Sequence, residues 1–170
     1  MSEDFDPDAL SADKAARYAE LAEMIAAVVE GEPNQVARMA TVSSMLAGAF
    51  AHFFWTGFYV VDPVKGNELV VGPYQGTLGC LRIAFSRGVC GKAAATGEIQ
   101  IVDDVNAFPG HIACDARSVS EIVVPVRGAD GRLIAVLDVD ATIPAAFDQA
   151  DAVGLARILD QVFASAPVPA

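Results

Sequence analysis

The pattern of apolar residues in the first fifty positions predicts two helices. Residues 13 to about 50 are rich in Ala, Leu, Met and Glu, which lose little side-chain freedom in a helix, and apolar residues recur near the helical period. The sequence Gly-Glu-Pro at 31–33 interrupts this pattern. We therefore expect the second helix to begin after Pro33, with Asn34 as its cap.

Beyond residue 53 the pattern becomes that of β-strands. The run WTGFYVV at 55–61 is aromatic and β-branched, and a Lys-Gly-Asn turn leads from it into a second apolar run at 68–71. Two further apolar runs, at 121–126 and 132–139, are joined by Gly-Ala-Asp-Gly, whose residue types suit a tight reversal. Each pair of runs is predicted to form a β-hairpin.

Three shorter patterns complete the predicted order of elements. They indicate a short helix at 89–96, a short strand at 100–102 and a closing helix at 148–164. The order helix, helix, hairpin, short helix, hairpin, helix gives antiparallel strand pairs, with helices left to cover the faces. We predict an α+β domain with a central antiparallel sheet and helices on both faces.

Length and charge narrow the class of protein. A chain of 170 residues, 54% hydrophobic, suits a single domain over 1–170, with helices in 1–50 and the sheet, loops and closing helix in 54–164. The net charge of −11 would repel phosphate backbones and anionic lipids, so we expect neither nucleic-acid nor membrane partners. The acidic first ten residues do not resemble a secretory signal, and we expect a cytoplasmic protein.

The three cysteines form no CxxC pair, which favours reactive thiols in a reducing compartment over a disulfide framework. Cys114 lies in the longest stretch without a regular pattern, 103–119, where a functional thiol and a buried packing cysteine are both reasonable. Cys80 also lies in a loop and could condense with an oxidised Cys114 if the two loops meet. Cys90 begins the short helix, whose dipole could stabilise a thiolate, although a packing role is the interpretation we favour.

Three carboxylates form the second group of candidates. Asp138 and Asp140 are two apart on one strand and so share a sheet face, and Glu121 opens the neighbouring strand. If the three converge, they raise one another's pKa and could grip an ammonium group or protonate a leaving oxygen; solvent-facing strand ends are the alternative. The pair His111 and Cys114 lacks the additional close ligands of a structural zinc site, so we expect no metal.

Trp55 and Tyr59, four apart on the first predicted strand, share a face and could form an aromatic wall, although core packing commonly explains such pairs. Together with these residues, six segments match one family: WTGFY at 55–59, GPYQG at 72–76, RGVCG at 87–91, GHIACD at 110–115, SEIV at 120–123 and VLDVD at 136–140. By these segments the chain closely resembles the free methionine-(R)-sulfoxide reductases, which are single GAF-domain enzymes. The resemblance covers most of the chain, and all three cysteines fall at the family's spacing.

The resemblance implies a thiol mechanism. The Cys114 thiolate would attack the sulfoxide sulfur of free methionine-(R)-sulfoxide, leaving a sulfenic acid on Cys114. Cys80 would resolve this acid as a disulfide, which a thioredoxin-type dithiol reduces. Glu121 would hydrogen-bond the sulfoxide oxygen and favour its protonated form.

The resemblance also assigns the substrate-binding residues. Asp138 and Asp140 would hold the amino group and polar atoms of the substrate, Trp55 and Tyr59 would surround its S-methyl end, and Cys90 is counted with them. No cofactor is implied, and family members are homodimers through their helices.

The alternative function is a non-catalytic GAF module that binds a small ligand or reports redox state. Such modules usually accompany an output domain, for which this chain has little room, and the Asn-Lys-Phe-Asp-Glu string of cyclic-nucleotide-binding GAF domains is missing. Phe54, Arg117 and Val119 depart from the family's pattern, and we expect them to affect substrate affinity rather than reaction type.

Overall fold

A single six-stranded antiparallel sheet organises the protein. The computed structural model describes residues 5–111 and 114–165, and the strand order is β3-β2-β1-β6-β5-β4. The strands are β1 (Trp55–Val61), β2 (Glu68–Gln75), β3 (Arg82–Ala84), β4 (Gln100–Val102), β5 (Ser120–Arg127) and β6 (Leu133–Ala141). The helices are α1 (Lys14–Val28), α2 (Gln35–Ala49), α3 (Gly88–Thr96) and α4 (Gln149–Leu159), with 3-10 turns at Pro7–Ala9 and Val105–Ala107.

The helix boundaries follow from their caps. Asn34 accepts hydrogen bonds from the first backbone N–H groups of α2, as the sequence predicts. Asp148 and Asp151 form a reciprocal capping box at the start of α4. The predicted closing helix at 148–164 is regular only to Leu159, because the turn Asp160–Ala164 widens to π geometry.

The first hairpin is longer than its apolar pattern predicts. Strand β2 continues past residue 71 to Gln75, because a bulge between Gly57 and Tyr59 lets β1 keep its pairing with Tyr74. A Cβ at Gly57 would overlap the Tyr74 backbone, so only glycine allows the two strands to approach this closely here. This extension brings the loop after β2 over Trp55, at the start of β1.

The two faces of the sheet carry different cores. The larger core packs α1, α2 and α4 against Phe58, Ile122 and Leu137, and the smaller one packs α3 against Val123 and Val136 on the opposite face. Alternate residues of β5 and β6 thus face opposite cores, as the pleat requires. The predicted α+β fold with helices on both faces is confirmed.

Some predictions concern residues that this structure does not describe. Residues 1–4 and 166–170 of the predicted domain, and positions 112 and 113 of the GHIACD segment, lie outside the described residues. Within the described parts of the chain, every helix is too short or too polar to cross a bilayer.

Candidate active site

Three acidic side chains converge beneath α3. Glu121 pairs with Asp140 across β5 and β6, and Asp138 lies two residues before Asp140 on the same face of β6. All three are buried, with relative exposures of 5%, 6% and 9% for Glu121, Asp138 and Asp140. The predicted convergence is therefore observed, and the alternative of solvent-facing strand ends is wrong.

Burial changes the protonation of this acid cluster, which we define as Glu121, Asp138 and Asp140. Loss of solvation and the neighbouring carboxylates raise the pKa of Glu121 and of Asp140 well above the usual range. Burial raises the pKa of Asp138 to about 6. Protons are therefore held in the acid cluster near neutral pH, so a carboxylic acid is available as a hydrogen-bond donor.

One carboxylate oxygen in the acid cluster is unsatisfied. Oδ1 of Asp138 is buried without a hydrogen-bond partner among the described residues. A buried acceptor of this kind costs free energy unless a donor reaches it. The site is thus suited to a ligand that brings a donor, such as an ammonium group.

Cys90 lies against the acid cluster. Its Sγ is 3.8 Å from Oε1 of Glu121, and burial together with the nearby carboxylates raises the pKa of the Cys90 thiol. This environment keeps the thiol protonated despite its place in the first turn of α3. Cys90, Glu121 and Asp138 offer donor atoms within 4.8 Å of one another, so this group, and not the pair His111 and Cys114, is the one whose described geometry could hold a metal.

The other two cysteines meet, as predicted. Cys80, just before β3, and Cys114, in the loop before β5, form a disulfide with their Cα atoms 5.5 Å apart. Cys114 is exposed and Cys80 is half-buried, so the buried-packing alternative for Cys114 is wrong.

An aromatic wall lies beside the disulfide. The rings of Trp55 and Tyr59 stack with centroids 5.5 Å apart, and Tyr74 stacks on Trp55 at 5.0 Å. A Cβ at Gly79 would crowd both Trp55 and the Tyr59 hydroxyl, so this glycine lets the Cys80 loop lie directly on the wall. Burial and nearby carboxylates raise the pKa of Tyr59, which keeps its phenol neutral.

Seven of the eight predicted site residues line one cavity. They are Trp55, Tyr59, Cys90, Cys114, Glu121, Asp138 and Asp140. The eighth, Cys80, is joined to the cavity through its disulfide. His111 also lines this cavity, and burial lowers its pKa, so its imidazole is neutral near pH 7.

A group of contacts between the two cysteine loops was not predicted from the sequence. Thr77 donates a hydrogen bond to Asp115, which also pairs with Arg117. The Arg117 guanidinium lies over the Phe54 ring, so two of the positions that depart from the family's pattern touch each other. The apolar pattern carries no signal for these contacts, because they join two irregular segments.

Comparison with known proteins agrees with this geometry. Residues 40–163 match the family described as GAF domain. The Escherichia coli protein named free methionine-R-sulfoxide reductase is 40% identical over 145 residues, covering 85% of this chain and 86% of the relative. The Saccharomyces cerevisiae protein of the same name is 44% identical over 126 residues, covering 72% and 70%.

The chain belongs to the free methionine-R-sulfoxide reductase family. A family member from Neisseria meningitidis, solved in complex with its substrate, superposes with a TM-score of 0.84 at 47% identity over 89% of each chain. The family and the GAF-type fold indicated by the sequence are thus confirmed.

Proposed function

We propose that this protein reduces free methionine-R-sulfoxide to methionine, with Cys114 as the nucleophile. The observation that carries the proposal is the position of Cys114, which is disulfide-linked to Cys80 and lines a cavity containing three buried carboxyl groups. The relatives named for this activity, at 40% and 44% identity, support the same reaction.

The chemistry uses the reduced form of the disulfide. The Cys114 thiolate attacks the sulfoxide sulfur and forms an S–S bonded adduct, whose oxygen takes a proton from Glu121. The oxygen then moves to the Cys114 sulfur as the S–S bond and the substrate S–O bond break, which leaves a sulfenic acid on Cys114 and releases methionine. Glu121, whose raised pKa keeps it protonated, donates a hydrogen bond to the oxygen during this transfer. This hydrogen bond draws electron density from the sulfoxide sulfur toward oxygen, so the sulfur becomes a better electrophile for the thiolate.

Cys80 completes the cycle. Its thiol attacks the Cys114 sulfenic sulfur, the S–S bond forms, and the hydroxyl leaves as water. A thioredoxin-type dithiol then reduces the disulfide by exchange, and it is oxidised in turn. The half-buried Cys80 and exposed Cys114 leave the disulfide accessible to such a reductant.

The acid cluster selects a free amino acid. Asp138 and Asp140 bind the substrate ammonium, which donates a hydrogen bond to Oδ1 of Asp138, an atom that no described residue reaches. Trp55 and Tyr59 pack around the S-methyl end, and Cys90 closes the floor beside Glu121. A peptide-bound sulfoxide lacks the ammonium, so it is a poor substrate.

Three further properties belong to the same proposal. The whole chain, 1–170, acts as one domain, because α1 and α4 pack together on the sheet that carries the site. The recycling of a thiol suits a reducing compartment such as the cytoplasm. A homodimer through the helices is supported by Val28, Val36 and Val153, which are 61%, 63% and 61% exposed on α1, α2 and α4, and light scattering on the purified protein tests it.

A stereospecific turnover assay tests the proposed function. The purified protein with dithiothreitol is given each epimer of methionine sulfoxide separately, and methionine is quantified. We expect conversion of the R epimer alone, and none with Cys114→Ser. Binding of the R epimer without turnover would instead support the non-catalytic GAF module, and equal conversion of both epimers would refute the proposed site.

A further inference from the structure

The loops that carry Cys80 and Cys114 are joined by a second, noncovalent connection beside the disulfide. Thr77 Oγ1 donates to Asp115 Oδ2 at 2.8 Å. Arg117 grips both oxygens of Asp115, from Nε to Oδ1 at 3.1 Å and from a terminal nitrogen to Oδ2 at 2.8 Å. We call Thr77, Asp115, Arg117 and Phe54 the loop clamp.

The loop clamp is anchored at the start of β1. The Arg117 guanidinium carbon lies 4.9 Å from the centroid of the Phe54 ring, which is a cation–π distance. The next residue, Trp55, donates from Nε1 to the Thr77 carbonyl at 2.9 Å. Phe54, which directly precedes β1, and Trp55, the first residue of β1, therefore hold one loop each.

The charge in the loop clamp is stable. Hydrogen bonds from Arg117 and Thr77 hold the pKa of Asp115 well below its usual range, so this carboxylate is ionised throughout the working pH range. The Asp115 side chain is 17% exposed and that of Arg117 is 63% exposed, so solvent and salt weaken this ion pair, and the partly buried connection between the loops is the hydrogen bond from Thr77 to Asp115. The two N–H···O bonds from Arg117 fix the orientation of the Asp115 carboxylate toward Thr77.

The hydrogen bond between Thr77 and Asp115 connects the same two loops as the disulfide. Thr77 lies three residues before Cys80, and Asp115 directly follows Cys114. The Thr77–Asp115 hydrogen bond therefore lies beside the Cys80–Cys114 disulfide. The disulfide is broken in the form of the enzyme that receives substrate. Without another link, each of the two loops would be held only at its ends while the disulfide is open, and bringing the two thiols together again would cost loop entropy in every cycle.

We propose that Thr77 and Asp115 are positioning residues for the resolving step, holding the Cys114 loop beside Cys80 while the disulfide is open. This inference rests on the proposed function. The loop clamp raises the effective concentration of the Cys80 thiol at the Cys114 sulfenic acid, so the S–S bond forms and water leaves before the sulfenic acid can be oxidised further. The attack on the sulfoxide itself does not use the hydroxyl of Thr77.

Single-turnover kinetics separate the two steps. Reduced protein is mixed with one equivalent of the R-sulfoxide and quenched at intervals; methionine, the dimedone adduct of the sulfenic acid and the Cys80–Cys114 disulfide are then quantified. In Thr77→Val, methionine appears at the wild-type rate, but the disulfide forms about tenfold more slowly and the dimedone adduct accumulates. Thr77→Ser, which keeps the hydroxyl, restores the wild-type rate. Asp115→Asn slows disulfide formation at least as much as Thr77→Val.

An equilibrium measurement supplies a second readout. A weakened loop clamp lowers the effective concentration of one thiol at the other, so the equilibrium constant for disulfide formation in a glutathione buffer falls about tenfold in Thr77→Val. The matched control is Thr96→Val, which removes a threonine hydroxyl bonded to the Lys92 carbonyl at the end of α3, outside both cysteine loops. It leaves both the disulfide rate and the equilibrium constant unchanged.

The outcomes distinguish this inference from the proposed function. If the wild-type protein releases no methionine, the proposed function is wrong. If it does so but Thr77→Val and Asp115→Asn both form the disulfide at the wild-type rate with an unchanged equilibrium constant, only the role of the loop clamp is refuted. Thermal melting of Thr77→Val confirms that the compared proteins are folded.

Discussion

Asp138 should reduce the stability of the substrate-free protein at neutral pH, and Asp138→Asn should restore that stability. The Asp138 carboxyl is 6% exposed, its Oδ1 has no hydrogen-bond partner within residues 5–111 and 114–165, and it lies beside two further acids. Burying a negative charge in such a place is costly. Asparagine has nearly the same shape but cannot ionise, so it removes the electrostatic part of this cost.

The expected magnitude follows from the raised pKa of Asp138. Burial moves this pKa from 3.8 to about 6. At low pH the carboxyl is protonated in the folded and unfolded chain alike, so it carries no penalty there. As pH rises from 3.8 to about 6 the unfolded chain ionises first, and the free energy of unfolding falls by about 3 kcal/mol, at about 1.4 kcal/mol per pKa unit. Above pH 6 the loss is complete.

Urea unfolding over pH 4 to 8, followed by the fluorescence of the single tryptophan, measures this effect. The difference in unfolding free energy between Asp138→Asn and wild type should shift in favour of the variant by up to about 3 kcal/mol between the acid and neutral ends. The control, Asp103→Asn, changes an exposed carboxylate and should show a difference that varies by less than about 0.5 kcal/mol. A pH-independent difference for Asp138→Asn, or one that shifts toward wild type, would refute a buried, ionising Asp138.

Three other predictions follow from the site and the core. The affinity of Cys114→Ser for the free sulfoxide, measured by calorimetry, should weaken as pH falls through about 6, because protonated Asp138 cannot balance the ammonium; a flat profile contradicts this role. N-acetyl-methionine-R-sulfoxide, which lacks the ammonium group, should show a kcat/KM at least about tenfold below that of the free amino acid. Equal values would refute the proposal that the acid cluster binds the ammonium. Gly154→Ala should lower stability by about 1–3 kcal/mol in thermal melts, since its Cβ would overlap the Tyr18 ring, and an unchanged melting temperature would contradict that packing.

The helices and strands whose residues follow a regular pattern were predictable from the sequence. The aromatic and β-branched residues at 55–61 located β1 correctly, and the cap at Asn34 placed the start of α2. The extension of β2 to Gln75 was not predictable, because it depends on a bulge opposite Gly57 and not on the apolar pattern of β2 itself.

The same distinction applies to the candidate site: residues on regular strands were predictable, and contacts between loops were not. Strand period two was enough to place Asp138 and Asp140 on one face, and hairpin pairing brought Glu121 beside them. Contacts between irregular segments, such as Thr77 with Asp115, have no period and depend on how two loops fold over β1. The burial of the acids was also beyond the sequence, because it results from α3 packing over their face of the sheet.

The most direct test of the account is a single turnover of Cys80→Ser, which keeps the nucleophile but lacks the resolving thiol. With excess methionine-R-sulfoxide and no reductant, we expect one methionine per protein chain and a dimedone adduct on Cys114, identified by peptide mass spectrometry. An adduct on Cys90 instead of Cys114, or no methionine from a folded protein, would contradict the central claim that Cys114 takes the oxygen.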